Sequence, residues 1–299
     1  MIEIDVLCVG HASYDLVFSV EEHPSEDEKI VANSLLSSGG GPAANAAVMI
    51  QKLGFKAAFA GYLGNDLYGN KHQQELAENK VDTSLIVRGE LPTPLSAILV
   101  KPDGRRALIN YKGDTQALST QSIDFSRVNT KVILFDGHEP YISVPLAKDA
   151  KSKGIVTVLD AGSLHQGTKM LMELVDYVAC SEKFAVQLAG DVRSALTQLA
   201  NISPAVIITL GEKGLVWQRG KQRGELAAPQ VSVVDTTGAG DAFHGALAVA
   251  IADGMCWEDC LIFASAAGSL CCMKLGARPG LPDENDLRSL FSQLADSRA

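Results

Sequence analysis

The sequence has no run of basic residues, no long apolar run and no internal repeat. Each absence removes a class of function. Lysine and arginine (26) are outnumbered by aspartate and glutamate (35), giving a formal net charge of −9, so no nucleic-acid partner is expected. No apolar stretch approaches the roughly 18 residues that a membrane-spanning helix needs, so no membrane partner is expected. Met1-Ile2-Glu3-Ile4-Asp5 carries no basic segment ahead of an apolar one. A secretory signal is therefore not expected, and the cytoplasm is the expected location. The six cysteines lack zinc-finger spacing: Cys256 and Cys260 are four apart and Cys271-Cys272 adjacent, all in apolar, helical-looking sequence. They read as small buried hydrophobes. No low-complexity linker divides the chain, which reads as one domain over residues 1–299.

What is present is ordinary for a soluble globular protein, with 46% hydrophobic and 20% charged residues. A chain of 299 residues can build one sizeable α/β core with a small appendage. Short apolar runs at Ile4–Val9, Ala57–Tyr62, Val132–Phe135, Val156–Leu159, Tyr177–Ala179 and Val206–Leu210 read as buried strands. Helical patterns lie between many of them, at Pro42–Leu53, Leu67–Asn79, Val144–Lys153 and Glu182–Leu188. Such alternation predicts a doubly wound, mostly parallel sheet flanked by helices. Two stretches break the rhythm. Residues 14–20 and 28–37 read as a pair of strands, and residues 95–101 and 105–111 as a hairpin around Pro102-Asp103-Gly104. These four strands predict a small β-sheet lid, formed by about residues 12–37 and 93–113, over the carboxyl edge of the main sheet. Its open edges make a homodimer through the lid an expected assembly.

The most informative stretch is Asp235-Thr236-Thr237-Gly238-Ala239-Gly240-Asp241, followed by a helix rich in Ala and Leu from about residue 239 to 252. Val231-Ser232-Val233-Val234 reads as a short strand, which places the glycines where a strand hands over to a helix N-terminus. Unpaired N–H groups and the helix dipole favour an anion there. Gly238 and Gly240 let the backbone approach a phosphate closely. Asp241 is the odd member, since a carboxylate is repelled by phosphate. It makes sense as a base that takes the proton from a hydroxyl attacking that phosphate. A second element, Ser38-Gly39-Gly40-Gly41-Pro42-Ala43-Ala44-Asn45, is a tight turn with proline suited to the first turn of a helix. Asn45 stands among apolar residues, where its amide needs hydrogen-bonding partners.

These two elements resemble the two signatures of the ribokinase-like (PfkB) carbohydrate kinases, nearest to the ketohexokinase and sulfofructose kinase branch. The similarity runs from Asp15 to about Pro282, with both signatures in the expected order. It implies a phosphotransferase that moves the γ-phosphoryl group of ATP to a hydroxyl of a small sugar, a ketose or ketose derivative. Asp241 would be the general base, and the N–H groups of Gly238, Ala239, Gly240 and Asp241 would hold the developing charge. The resemblance also implies that Asp15, Asp27, Gly40, Gly41 and Asn45 meet the sugar, while Thr209, Gly211, Gly214, Thr237, Gly238 and Gly240 lie along the nucleotide.

Mg²⁺ is the implied metal. The family's Asn-x-x-Glu motif is replaced here by Ser181-Glu182-Lys183-Phe184, which leaves Glu182 as the acid that reaches the ion through water. The segment Lys274–Pro282 resembles the loop closing over adenine, with carbonyls for a monovalent cation such as K⁺. From the lid, Asn110 is a candidate substrate contact, and Lys29, Arg105, Arg106 and Lys112 are cations available to an anionic sugar, with Lys29 on a lid strand. No arginine of the kind that sulfonate recognition calls for stands around Asp136-Gly137-His138-Glu139. A sugar phosphate, a sulfosugar or a nucleoside is the alternative acceptor. A non-catalytic sugar or nucleotide sensor on the same fold is the alternative from another class.

Overall fold

The computed structural model describes residues 1–296. In chain order the first strands are β1 (Ile2–Glu3), β2 (Val6–Val9), β3 (Ser13–Ser19), β4 (Ser34–Gly40), β5 (Ala57–Gly64), β6 (Ile86–Gly89), β7 (Leu95–Val100) and β8 (Arg106–Tyr111). They are followed by β9 (Val128–Asn129), β10 (Val132–Phe135), β11 (Val156–Ala161), β12 (Tyr177–Ser181), β13 (Ala205–Thr209), β14 (Leu215–Arg219) and β15 (Gln222–Leu226). The helices that matter below are α1 (Pro42–Lys52), α2 (Leu67–Glu78), α3 (Pro140–Lys153), α4 (Gln166–Leu171), α5 (Glu182–Ala189), α6 (Val192–Ala200), α7 (Ala239–Ala252), α8 (Trp257–Cys271) and α9 (Ala277–Gly280).

The main sheet has nine strands in the order β15-β14-β13-β12-β11-β10-β2-β5-β6, parallel from β13 to β6 with an antiparallel hairpin at the β15 edge. Every residue of β2 is buried: Val6 and Cys8 join the core on one face, Leu7 and Val9 the core on the other. Successive side chains alternate across a strand, so a fully apolar strand belongs in a sheet covered on both sides. One layer contains α1, α7 and α8, the other α3, α5 and α6. The chain runs outward from β2 to β5 and β6 in one direction, and from β10 to β13 in the other. The order therefore reverses between β2 and β10, and a crevice opens at their carboxyl ends.

The lid is a separate four-stranded sheet, β4-β3-β7-β8, that leaves the carboxyl end of β2 through Gly10–Ala12. Paired residues share a face, which sorts its side chains. Asp15, Ser96 and Asn110 form one row across β3, β7 and β8. The same inward face carries Val17, Ile98 and Val100, packed on Leu36 and Leu275. The outward face carries Leu16, Phe18, Leu35, Leu99, Ile109 and Tyr111.

Two expected strands differ. The stretch 28–37 begins its strand only at Ser34, because residues 21–33 form an exposed polar loop in which Asp27 takes a positive φ of 58° and the Glu28 carboxylate accepts from the Ser25 N–H. Lys29 is therefore on this exposed loop and not on a lid strand. Val231–Val234 pairs with no strand among the described residues; Val234 instead donates to the Cys272 carbonyl at 2.8 Å. Val233 and Val234 stay half-exposed, so no sheet position is needed to bury them.

Candidate active site

Helix α7 begins at Gly238, whose φ of 81° is left-handed and whose Cα lies against Ala277, where a side chain would collide at 2.6 Å. Glycine is required there for both reasons. Asp235, fully buried, fixes the loop from inside. Its Oδ1 accepts from the N–H and the hydroxyl of Thr237 at 2.9 and 2.7 Å, and its Oδ2 accepts from the Gly276 N–H at 2.8 Å. The cradle itself stays open, with nothing within 4 Å of the position where Gly240 would carry a Cβ. A helix N-terminus with an open glycine face and a lid above it can hold a phosphate.

Asp241 projects from the first turn of α7, and Asn45 from α1 meets it. The two helices approach closely because small residues line the contact: a Cβ on Gly245 would press on Met49 and the Ala46 carbonyl at 2.9 and 3.1 Å. The Nδ2 of Asn45 donates to Asp241 Oδ2 at 2.6 Å, while Asn45 Oδ1 accepts from Nε of the buried Arg278 at 3.1 Å. Arg278 in turn donates to Nε2 of His72 at 3.2 Å and pairs with Glu75 at 3.5 Å. The other Glu75 oxygen accepts from the Gly39 N–H at 2.6 Å. The glycine-rich turn and the carboxylate are thus tied through one polar chain. Burial pushes Asp241 up; the Asn45 donor and the positive fields of His244 and Arg106 pull it back down.

Asp15 is buried on the inward lid face and accepts from the Ser13 hydroxyl at 2.9 Å. Burial raises it, and so does the nearby Asp241 carboxylate, while donors on Ser13 and Ser96 and the Arg278 charge lower it. Gly40 lies against it, where a Cβ would meet the Asp15 carboxylate at 2.1 Å. Gly41 has a φ of 93° and faces the backbone of His11 and Ala12. Asn45, Asp15, Gly40, Gly41 and Asp241 are therefore brought together, with Asn110 on the same lid face. Asp27 is not among them; it stands on the exposed 21–33 loop together with Lys29.

On the other side of the cradle, Thr209 ends β13 and donates to the Cys180 carbonyl at 3.3 Å. Gly211 and Gly214, at φ of 61° and 94°, form the turn into β14. Glu182 opens α5 and pairs with Lys213 at 3.7 Å. No group of three or more His, Cys, Asp or Glu side chains able to hold a metal occurs among the described residues.

Three features escaped sequence reading. Arg278 belongs to the segment read as an adenine loop, yet its guanidinium is buried beneath Asn45; an arginine between Gly276 and Pro279 carries no signal of that depth. Arg106 had been only one of several lid cations, but its Nη1 donates to the Thr237 hydroxyl at 2.6 Å, spanning lid and cradle. His11, His138 and His165 stand at the carboxyl ends of β2, β10 and β11 with ring centroids 5.1 and 4.6 Å apart. Burial, together with the neighbouring His138, lowers His11 to about 3 and His165 to about 4. Beside them Asp136 accepts from the N–H groups of His11, Ala43 and His138 at 2.7, 3.2 and 2.8 Å.

Comparison with known proteins decides the family, because the description "pfkB family carbohydrate kinase" matches residues 3–284. The chain belongs to the pfkB family. Among curated relatives, a ribokinase of Arabidopsis thaliana is 30% identical over 96% of this chain and 80% of that one. A probable fructokinase-5 of the same plant is 28% identical over 87% of this chain and 90% of its own. The solved structure of Arabidopsis thaliana ribokinase complexed with ribose and ATP superposes with a TM-score of 0.84, at 28% identity, covering 97% of this chain and 99% of that chain. A ribokinase from Thermotoga maritima gives a TM-score of 0.86 at 25% identity, covering 97% and 99%. The pfkB protein described here is a carbohydrate kinase, a phosphotransferase, with the ribokinase-like fold.

Proposed function

We propose that this kinase transfers the γ-phosphoryl group of ATP to a hydroxyl of a small sugar, a ketose or ketose derivative, with Asp241 as general base. The observation that carries the reading is the Asp241 carboxylate at an open helix N-terminus, held by Asn45 at 2.6 Å. The carboxylate takes the hydroxyl proton as the oxygen forms its bond to the γ-phosphorus. The bond to the bridging oxygen of ADP breaks in line, and the proton stays on Asp241. The N–H groups of Gly238, Ala239, Gly240 and Asp241 hold the charge developing on the phosphoryl oxygens. Arg106, which already reaches Thr237, adds a cation from the lid side.

The acceptor hydroxyls are assigned to Asp15, Asn45, Asn110 and the backbone of Gly40 and Gly41. Asp27 and Lys29, on the exposed 21–33 loop, are not assigned a contact with the acceptor in this conformation. The nucleotide runs along Thr209, Gly211, Gly214 and Thr237. Glu182, half-exposed at the start of α5 and one residue after Ser181, which pairs with Thr209, suits a Mg²⁺ carried by phosphates and water; the ion's chemistry would be to neutralise the ATP phosphates. Carbonyls of the Lys274–Pro282 loop are the proposed seat of a monovalent cation such as K⁺. The apolar outward face of the lid supports a homodimer formed through it. The chain works as one kinase domain. No helix among the described residues is long and apolar enough to cross a membrane, which fits a cytoplasmic enzyme.

The test is ADP release from Mg-ATP with fructose, ribose, tagatose, fructose 6-phosphate, sulfofructose and adenosine, beside the variant Asp241→Asn. One strong acceptor whose turnover falls by about 10² or more in the variant is expected. Near-normal turnover in Asp241→Asn removes the base. Bound ATP with no product from any acceptor points to the sensor.

A further inference from the structure

His244 lies three residues beyond Asp241 on α7 and is 4% exposed. Its Nδ1 faces the Gly240 carbonyl at 2.6 Å and Asp160 Oδ2 at 3.2 Å, and its Nε2 faces the Ala179 carbonyl at 3.1 Å. A neutral imidazole has one donor and one acceptor nitrogen. Carbonyl oxygens only accept, so the Ala179 oxygen requires a proton on Nε2 and the Gly240 oxygen requires one on Nδ1. Both requirements are met only by an imidazolium. Asp160, buried at the end of β11, is the counter-charge.

His244 stands in the second turn of α7, and a cation buried there carries a desolvation cost. Its presence there needs a reason beyond packing, since an apolar side chain among these alanines fills the space without a charge. The reason lies in what it touches. The Gly240 carbonyl belongs to the peptide whose N–H side is the phosphate cradle, and Asp241 is the next residue. We propose that His244 is a positioning residue for phosphoryl transfer: paired with Asp160, it fixes the Gly240 peptide of the cradle and sets a positive charge behind the Asp241 carboxylate. This inference rests on the reading of Asp241 as base.

The surrounding charges agree with it. Asp241 is raised by burial and by Asp136, on the strand end beneath it, and is lowered by the Asn45 donor, His244 and Arg106. Asp160 is raised to about 6 by burial, with the neighbouring Asp241 and Asp136 adding to the rise and His244 opposing it. The thiols packed nearby, Cys180 on β12 and Cys271 on α8, are pushed far above their ordinary range by burial and stay uncharged. The buried Arg278 and the Asp15 carboxylate also act on Asp241, but His244 is the ring that faces both Asp241 and Asp160 from inside the fold. Removing it lets Asp241 and Asp160 rise together, and both changes move the loss of activity in acid to higher pH.

The experiment compares wild type, His244→Asn, His244→Gln and Asp241→Asn for turnover and for ATP affinity across the neutral range. The acid limb of kcat is expected to move up by about one pH unit in both His244 variants, with ATP affinity kept within about threefold. A limb that stays in place, whatever the loss in turnover, overturns the proposal. An inactive Asp241→Asn with unmoved His244 limbs sinks this inference alone, whereas an active Asp241→Asn sinks the base first. Should the His244 variants fail to fold, histidine ¹⁵N spectra of the wild type decide. Of the two deeply buried histidines, His72 is expected neutral, since its Nε2 accepts from Arg278, and His244 doubly protonated at neutral pH. Two neutral rings overturn it.

Discussion

Asn45 Nδ2 donates to Asp241 Oδ2 at 2.6 Å across 196 residues of sequence. The amide cannot turn over, because its oxygen is engaged by Arg278 at 3.1 Å. Asn45→Ala removes a donor to a charged acceptor, worth about 1.5–3 kcal/mol. Turnover is expected to fall about 10–100-fold, with the acid limb of the pH profile moved upward and the ATP dissociation constant nearly unchanged. Steady-state kinetics across pH, with ATP binding measured by calorimetry, check it.

Arg106 donates to the Thr237 hydroxyl at 2.6 Å and so holds the β8 edge of the lid to the cradle. Its neighbour Arg105 faces away and pairs with Asp103 at 2.6 Å. Arg106→Gln is expected to lower kcat about 100-fold, the size of losing one charge-stabilising donor, while Arg105→Gln changes it little. Equal effects of the two substitutions remove the distinction between them.

Acid destabilises this protein through its histidine cluster. His11 and His165 titrate near 3 and 4 when folded and near 6.5 when free, so the unfolded chain binds more protons between these values. Their contribution is complete above about 6.5 and is lost as pH falls through the range down to about 3–4. Urea unfolding of His165→Asn is expected to show a shallower loss of stability over that range than wild type. Glu139, raised to about 7 by burial, acts the opposite way: its contribution is complete below the ordinary glutamate value and is lost as pH rises through about 7.

The outward lid face leaves Leu35, Ile109 and Tyr111 more than half exposed on one sheet surface. In the proposed homodimer a second copy of the lid would bury it. Ile109→Asp is expected to convert a dimer to a monomer in analytical ultracentrifugation, without loss of ATP binding. A wild-type protein that sediments as a monomer removes the dimer.

Fold class and the helix start beside Asp241 were legible in the chain because they depend on short-range patterns. Apolar runs alternating with helical segments predict the parallel sheet, and Gly238 and Gly240 mark a helix start whatever surrounds it. Asp241, next in sequence to that helix start, reads from the chain either as a first-turn carboxylate or as a base. The lid strands were legible too, apart from residues 28–33, where Asp27 turns the chain and polar side chains have no face to cover.

What only the tertiary structure decided are the partners. Arg278 meets Asn45 and Glu75 because small residues let α1, α7 and α9 pack closely, a property of the assembled layers and not of any one segment. The three histidines converge because β2, β10 and β11 are neighbours in the sheet although far apart in the chain. His244 meets Asp160 for the same reason. A sequence fixes which groups exist and the local geometry of each. Burial and the approach of distant groups set their charge and direction, and those arise only when the chain has closed on itself.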